Sequence, residues 1–463
     1  MNREIINEES IGSLLDQRAD SGRVNEIIAK AKELKGIGLE EAAVLLNTEN
    51  PDDINKIFEA ANFIKNEIYG KRLVLFAPLY ISNYCSNNCL YCGFRAANKQ
   101  IQRHTLTFDE IEEETLMRLR QGHKRVLMLM GEHHKNCTLD YFIDTIKKVY
   151  SVKDEKGSSI RSINVEIAPL TDEEFQKFRE IPIGTYTVFQ ETYNRETYKA
   201  MHPTGKKADY DWRIETMDRA LDNGMHDVGI GALFGLYDYR FETLALLTHA
   251  EHLDKKYNVG PHTISIPRIK PAENAPMTHN IPHRVSDTNF KKLVAVLRLS
   301  VPYTGMILST REPAQLRTEL FELGISQISA GSKTNPGGYK QAMLEPAGRG
   351  QFDLNDCRSS GEIIQDVLKR GYIPSFCTGC YRLGRVGEDF MDLAKPGLIK
   401  LHCLPNGLAT LKEYLEDYAD EETKQIGYEV IKREIENIPS ETRKKKTKDY
   451  LTRIEKGERD LYF

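Results

Sequence analysis

The stretch YCSNNCLYCGF, residues 84–94, sets Cys85, Cys89 and Cys92 at the spacing C-x3-C-x2-C. Three thiolates this close can hold three irons of a cubic 4Fe–4S cluster and leave the fourth iron without a protein ligand. An open iron is a place where a small molecule binds and receives an electron. Tyr91 and Phe94 flank the third cysteine, where an aromatic ring shields a cluster or stacks on a ligand. A zinc knuckle is the competing reading. Zinc sites close with a fourth Cys or His nearby, and none follows within the next ten residues.

Working outward, the cysteines follow an apolar run, Leu73–Ile81. Seven more such runs come after it: Arg125–Met130, Ile163–Ala168, Tyr186–Gln190, Asp227–Ala232, His262–Ile269, Gly305–Ser309 and Ile325–Ala330. Amphipathic stretches separate them at 108–121, 139–150, 172–180, 209–223, 240–257, 287–300 and 312–323, and Thr107 with Glu110 fits a capping box. Strand–helix alternation repeated eight times predicts an α/β fold with a parallel (β/α)8 barrel. A six-stranded open barrel is the alternative. The cysteines then occupy the loop after the first strand, at the barrel end that carries chemistry. Residues 1–70 read as a helical extension, 71–358 as the barrel, and 359–463 as a mainly helical C-terminal domain.

Composition bounds the function. The 463 residues are 40% hydrophobic and 29% charged, with net charge −4, which gives no electrostatic reason to expect nucleic acid. No apolar run is long enough for a membrane helix, and the start MNREIINEES has no signal-peptide pattern. Eight cysteines, six of them in two clusters, point to metal in a reducing cytoplasm rather than to disulfides.

Polar residues collect at strand ends. Glu166 stands in NVEIAPL, and Glu191 stands in FQETYN with Gln190, Thr192 and Tyr193. Arg268 nearly closes the sixth strand, while Ser309 and Arg311 follow the seventh; two cations and a hydroxyl suit an amino-acid carboxylate. His262 opens the sixth strand. Six strand residues span about 20 Å, so His262 belongs to the opposite end of the barrel from Arg268. The Gly-rich loop SAGSKTNPGGY, 329–339, is placed to close the site. Downstream, Cys377, Cys380 and Cys403 form C-x2-C-x22-C. They fit a second iron–sulfur cluster, or a zinc site completed by His402. Cys137 and Cys357 fall outside both groups and read as packed thiols. Pro405-Asn406-Gly407 reads as a break before the terminal helices, and Arg443–Lys446 as a solvated helix face.

The spacing C-x3-C-x2-C resembles the signature of the radical S-adenosylmethionine (SAM) enzymes. That resemblance implies SAM on the open iron of a 4Fe–4S cluster, cleaved by one electron to a 5′-deoxyadenosyl radical. Gly131-Glu132 resembles the family's GGE element, with Met130 in place of one glycine. Glu166 and Glu191 match positions that hold SAM hydroxyls or its ammonium, Arg213 one that clamps its carboxylate, and 228–236 the adenine element. CSNNCLYC, GEHH, VEIAPL, FQETYN and LSTRE together resemble the radical SAM tyrosine lyases. The added C-x2-C-x22-C resembles their branch in iron–iron hydrogenase maturation. This implies L-tyrosine cleaved to p-cresol and dehydroglycine, the latter converted to CO and cyanide. It also implies an auxiliary 4Fe–4S cluster bridged to an extra iron that His262 ligates, with L-cysteine as a ligand. The partners implied are an electron donor and other hydrogenase maturases. A lyase that stops at dehydroglycine, as in thiamine thiazole synthesis, and a non-catalytic iron–sulfur carrier are the alternatives.

Overall fold

The computed structural model describes residues 4–344 and 350–463. Eight parallel strands close a barrel: β1 (Arg72–Ser82), β2 (Arg125–Met130), β3 (Ser162–Glu166), β4 (Tyr186–Thr187), β5 (Val228–Gly231), β6 (Thr263–Ser265), β7 (Gly305–Leu308) and β8 (Gln327–Ser329). Each pairs with its neighbour, and β1 pairs with both β2 and β8, which closes the ring. The open six-stranded alternative is therefore excluded. A ninth strand, β9 (Ile373–Ser375), lies outside the expected set and pairs with the first residues of β1.

Strands run shorter than the apolar runs suggest, above all β4 and β6. Beyond β6 the chain keeps only an isolated bridge, Phe234 with Arg268, and beyond β4 only Glu191 with Ala232. The backbone leaves the ladder at these ends, which frees side chains to face the barrel mouth.

The helices on the outside follow the predicted stretches. Thr107 and Glu110 do form a capping box on Phe108–Leu119. The expected 209–223 helix is two pieces, Tyr210–Ile214 and Thr216–Asp222, parted at Glu215, where ψ is 0°. The expected helical extension is present as Glu8–Leu14, Ser21–Ala31, Leu39–Asn47 and Pro51–Tyr69. They pack on the barrel helices Tyr239–Tyr257 and Asp287–Ser300.

The C-terminal helix Lys400–Asp417 corrects one expectation. It runs straight through Pro405, Asn406 and Gly407. A proline there leaves the carbonyl four residues back without its donor. That carbonyl is Leu401's, and it accepts from Arg443 Nη1 at 2.9 Å. Arg443 is therefore partly spent inside the domain rather than on a solvated face.

Candidate functional site

The cysteines of the first triplet line a cavity with about 120 Å³ of water-accessible space at the C-terminal ends of the strands. Tyr91, Gly131, Glu132, Glu166, Glu191 and Arg213 line it with them. Gly131 is needed because a Cβ would stand 2.1 Å from the Tyr84 carbonyl oxygen. Its backbone thus presses against the cysteine loop, and the Glu132 carbonyl accepts the Ser86 N–H at 2.8 Å. Asn87 Nδ2 donates to the Glu132 carboxylate at 2.6 Å. The Tyr91 hydroxyl lies 2.7 Å from His202 Nε2, which fixes the ring.

Glu191 sits at φ 73°, a left-handed conformation that costs a non-glycine residue about 1 kcal/mol or more. The strain aims its carboxylate at Lys207, 2.5 Å away, and towards Arg213 Nη2 at 3.8 Å. Burial alone would raise its pKa, but Lys207 and Arg213 more than offset it and hold Glu191 below the usual carboxylate range. Glu166 behaves oppositely: burial, reinforced by the charge of Glu191, pushes it up to about 7. Lys207 also lines the cavity. It lies in a short 3-10 turn, Lys206–Ala208, before Tyr210, where sequence offers only a lysine pair and no signal of a site.

A second cavity, with about 90 Å³ of water-accessible space, lies in the barrel interior and shares Glu166 and Tyr80 with the first. Ser309 and Arg311 line it, as do Ser332 and Thr334 of the Gly-rich loop. The Arg311 guanidinium stacks 3.3 Å from the Phe352 ring centroid. Arg268 is not among its lining residues. Ser265 and Pro267 face the cavity, so strand alternation turns Arg268 outward. There it pairs with Glu312 and with Asp287 at 2.8 Å, over the Phe290 ring. The glycine stretch 228–236 lines neither cavity. A Cβ on its Gly229 would meet the Thr263 and Thr187 hydroxyls at 2.5 and 2.6 Å, so that glycine makes room inside the barrel.

The third cavity, with about 50 Å³ of water-accessible space, lies at the other end of the barrel. Cys377, Cys380, Cys403 and His262 line it, together with the strand starts Arg72, Arg125 and Gly305. Arg125 Nη2 donates to the Cys377 carbonyl at 2.9 Å. His262 Nδ1 stands 3.3 Å from Asp227 Oδ1, close but out of line for a hydrogen bond, and its ring packs 4.2 Å from Phe390. His402 is absent from this lining. Its Nδ1 lies 3.2 Å from Arg443 Nη1, so it does not complete a zinc set. Cys357 is exposed rather than packed, while Cys137 is half-buried against Ser82.

Among the described residues, no three potential ligands converge as a lone ion would need. Each cysteine triplet instead surrounds a cavity, which fits a cube whose irons each take one thiolate. Burial pushes Cys92 and Cys403 up to about 12 and Cys89 to about 11. Uptake of a cluster therefore releases protons.

Residues 79–247 match the radical SAM superfamily and residues 265–373 the Biotin and Thiamin Synthesis associated domain. A crystal structure of HydG, a maturase of the FeFe-hydrogenase, is 53% identical over the whole of both chains, with a TM-score of 0.96. The chain belongs to the HydG family. HydG from Carboxydothermus hydrogenoformans is 39% identical over 96% of this chain and 97% of its own, with a TM-score of 0.83. The 2-iminoacetate synthase of Salmonella typhimurium is 29% identical over 80% of this chain and 94% of that protein. This HydG-family chain is thus a radical SAM enzyme. None of its described helices is long and apolar enough to cross a membrane.

Proposed function

We propose that the chain cleaves L-tyrosine in the barrel cavity. It then turns the two-carbon fragment into CO and cyanide at the second triplet, for an Fe(CO)(CN) unit carried on L-cysteine. The observation that carries this reading is the order of the cavities: the first triplet at the strand ends, the second at the strand starts, and a hollow interior between them. When bound, SAM and a 4Fe–4S cluster on Cys85, Cys89 and Cys92 supply the hydrogen-abstracting radical, and a 4Fe–4S cluster bridged to an extra iron, on Cys377, Cys380, Cys403 and His262, supplies the iron of the product.

The protein's own groups do the positioning. Arg213 and Glu191 present a cation and an anion to the two charged ends of a SAM methionyl group. Arg311 and Ser309 take the tyrosine carboxylate. Glu166, shared by the two cavities, accepts from an ammonium or hydroxyl of either reactant once it is ionised. Phe76, Leu127 and Phe189 wall the interior and keep water from the reacting atoms. The division into 1–70, 71–358 and 359–463 assigns one task to each segment: cover, radical chemistry and fragment conversion. We place the protein in the cytoplasm, served by an electron donor and handing its product to the other hydrogenase maturases.

Anaerobically reconstituted protein given SAM, reductant and tyrosine is expected to release p-cresol and CO in comparable amounts, with CO read by a haem trap. p-Cresol without CO or cyanide would instead support a lyase that stops at dehydroglycine, the reading favoured by the resemblance to 2-iminoacetate synthase. No deoxyadenosine at all would leave only an iron–sulfur carrier.

A further inference from the structure

The interior of a (β/α)8 barrel is normally filled by branched apolar layers. Here the lower barrel is polar and several groups have nothing to bond. Gln327, on β8, lines both the barrel cavity and the second-triplet cavity. It is 7% exposed, and its Oε1 has no hydrogen-bond partner among the described residues. Thr263, more deeply buried still, has an Oγ1 that is likewise unpartnered among the described residues. Leaving such groups unpaired costs about 1–3 kcal/mol each, so their persistence asks for a guest that bonds them. Two glycines hold space for it. A Cβ on Gly305 would lie 2.6 Å from Gln327 Nε2, and one on Gly229 would lie 2.5 Å from Thr263 Oγ1.

We propose that Gln327, with Gly305 beside it on β7 and Thr263 beyond on β6, forms a hydrogen-bonding neck that passes a small polar fragment from the barrel cavity to the second cysteine triplet and turns back an aromatic ring. This rests on the proposed tyrosine cleavage. The amide suits the task. Its N–H donates to a carboxylate and its carbonyl accepts from an iminium N–H, so both ends of dehydroglycine are met by one side chain. Because the amide is neutral, it binds either end less tightly than a charged group would, and the fragment moves on. Gln327 is thus a positioning residue for transfer, not for bond cleavage. A fragment that misses the neck meets water instead: its C=N bond hydrolyses, the water oxygen becomes the aldehyde oxygen of glyoxylate, and the nitrogen leaves as ammonium.

The test uses the reconstituted full chain with tyrosine and measures p-cresol, CO and glyoxylate together. Gln327→Leu is expected to keep p-cresol within about twofold while CO per p-cresol falls about tenfold, the loss of one good hydrogen-bonding partner. Glyoxylate should rise to account for the missing CO, and Gln327→Asn should recover part of the transfer. Thr263→Val keeps the shape and removes an unpaired hydroxyl, so it leaves the fold intact, and it should shift the same partition in the same direction. An unchanged CO to p-cresol ratio in both variants overturns the neck. So does a parallel fall of both products, which marks Gln327 as packing alone. If the parent itself makes no p-cresol, the tyrosine reading fails first.

Discussion

The two cysteine cavities meet opposite electrostatics. The first is lined by Glu132, Glu166 and Glu191 against Lys207 and Arg213. The second has no acidic side chain among its described lining residues, only Arg72, Arg125 and His262 beside the thiols. Mixed charge suits a zwitterion whose two ends must be told apart. Positive charge alone suits a place where anions accumulate: thiolates, a carboxylate, cyanide. Burial opposes the charge of Arg72, but the thiolates of Cys403 and Cys377, when formed, more than offset it. On the proposed function, this contrast gives one barrel two separate chemistries, each expected to break without the other.

The largest expected effect follows from breaking the first cavity. Cys89→Ala leaves two thiolates where a cube needs three, so deoxyadenosine, p-cresol and CO should all fall by ~10³-fold or more, about 4 kcal/mol of barrier. Deoxyadenosine at the parent rate would contradict the assignment. Breaking the second cavity is narrower in effect. Cys377→Ala combined with Cys380→Ala should keep p-cresol within about twofold and abolish CO. Loss of p-cresol with the first cluster intact by electron-spin resonance would show that the two ends are not independent.

Much of this contrast is legible in the sequence, because cysteine spacing and short continuous apolar runs are local signals. β2 runs over Arg125–Met130, the span its apolar pattern predicts. Lys207 escapes because its role depends on a 3-10 turn meeting Glu191 from sixteen residues away, and an exposed lysine pair carries the same pattern. Arg268 misleads because position near a strand end says nothing of strand parity; Ser265 and Pro267 already claim the inward side. Gln327 does carry a signal. It is a polar residue between the buried Ile325 and Ile328, on the inward side of a strand that otherwise reads as core. β9 is three residues long with a proline at its centre, below what periodicity can register.

The smallest effect sharpens the electrostatic half of the comparison. In the first cavity two glutamates are driven apart, Glu191 downward by its cations and Glu166 up to about 7 by burial and by Glu191. Groups split in this way hold different protonation states at one pH. Glu166 binds its proton more tightly folded than unfolded, where the ordinary value is 4.5. Its contribution is therefore fully present below about pH 4.5 and is lost as pH rises through about 7. The loss is on the order of 3 kcal/mol in the ligand-free chain. A glutamine amide cannot ionise, so Glu166→Gln should change stability little at pH 5 and raise it most at pH 8, read as a shift of the urea midpoint at each pH. Equal shifts at both values would mean that the carboxylate is already ionised in the empty cavity and that an unrecognised cation faces it. Adding SAM or tyrosine to the parent should shrink the pH dependence, since an ammonium beside Glu166 lowers its pKa, whereas the glutamine variant should show no such change.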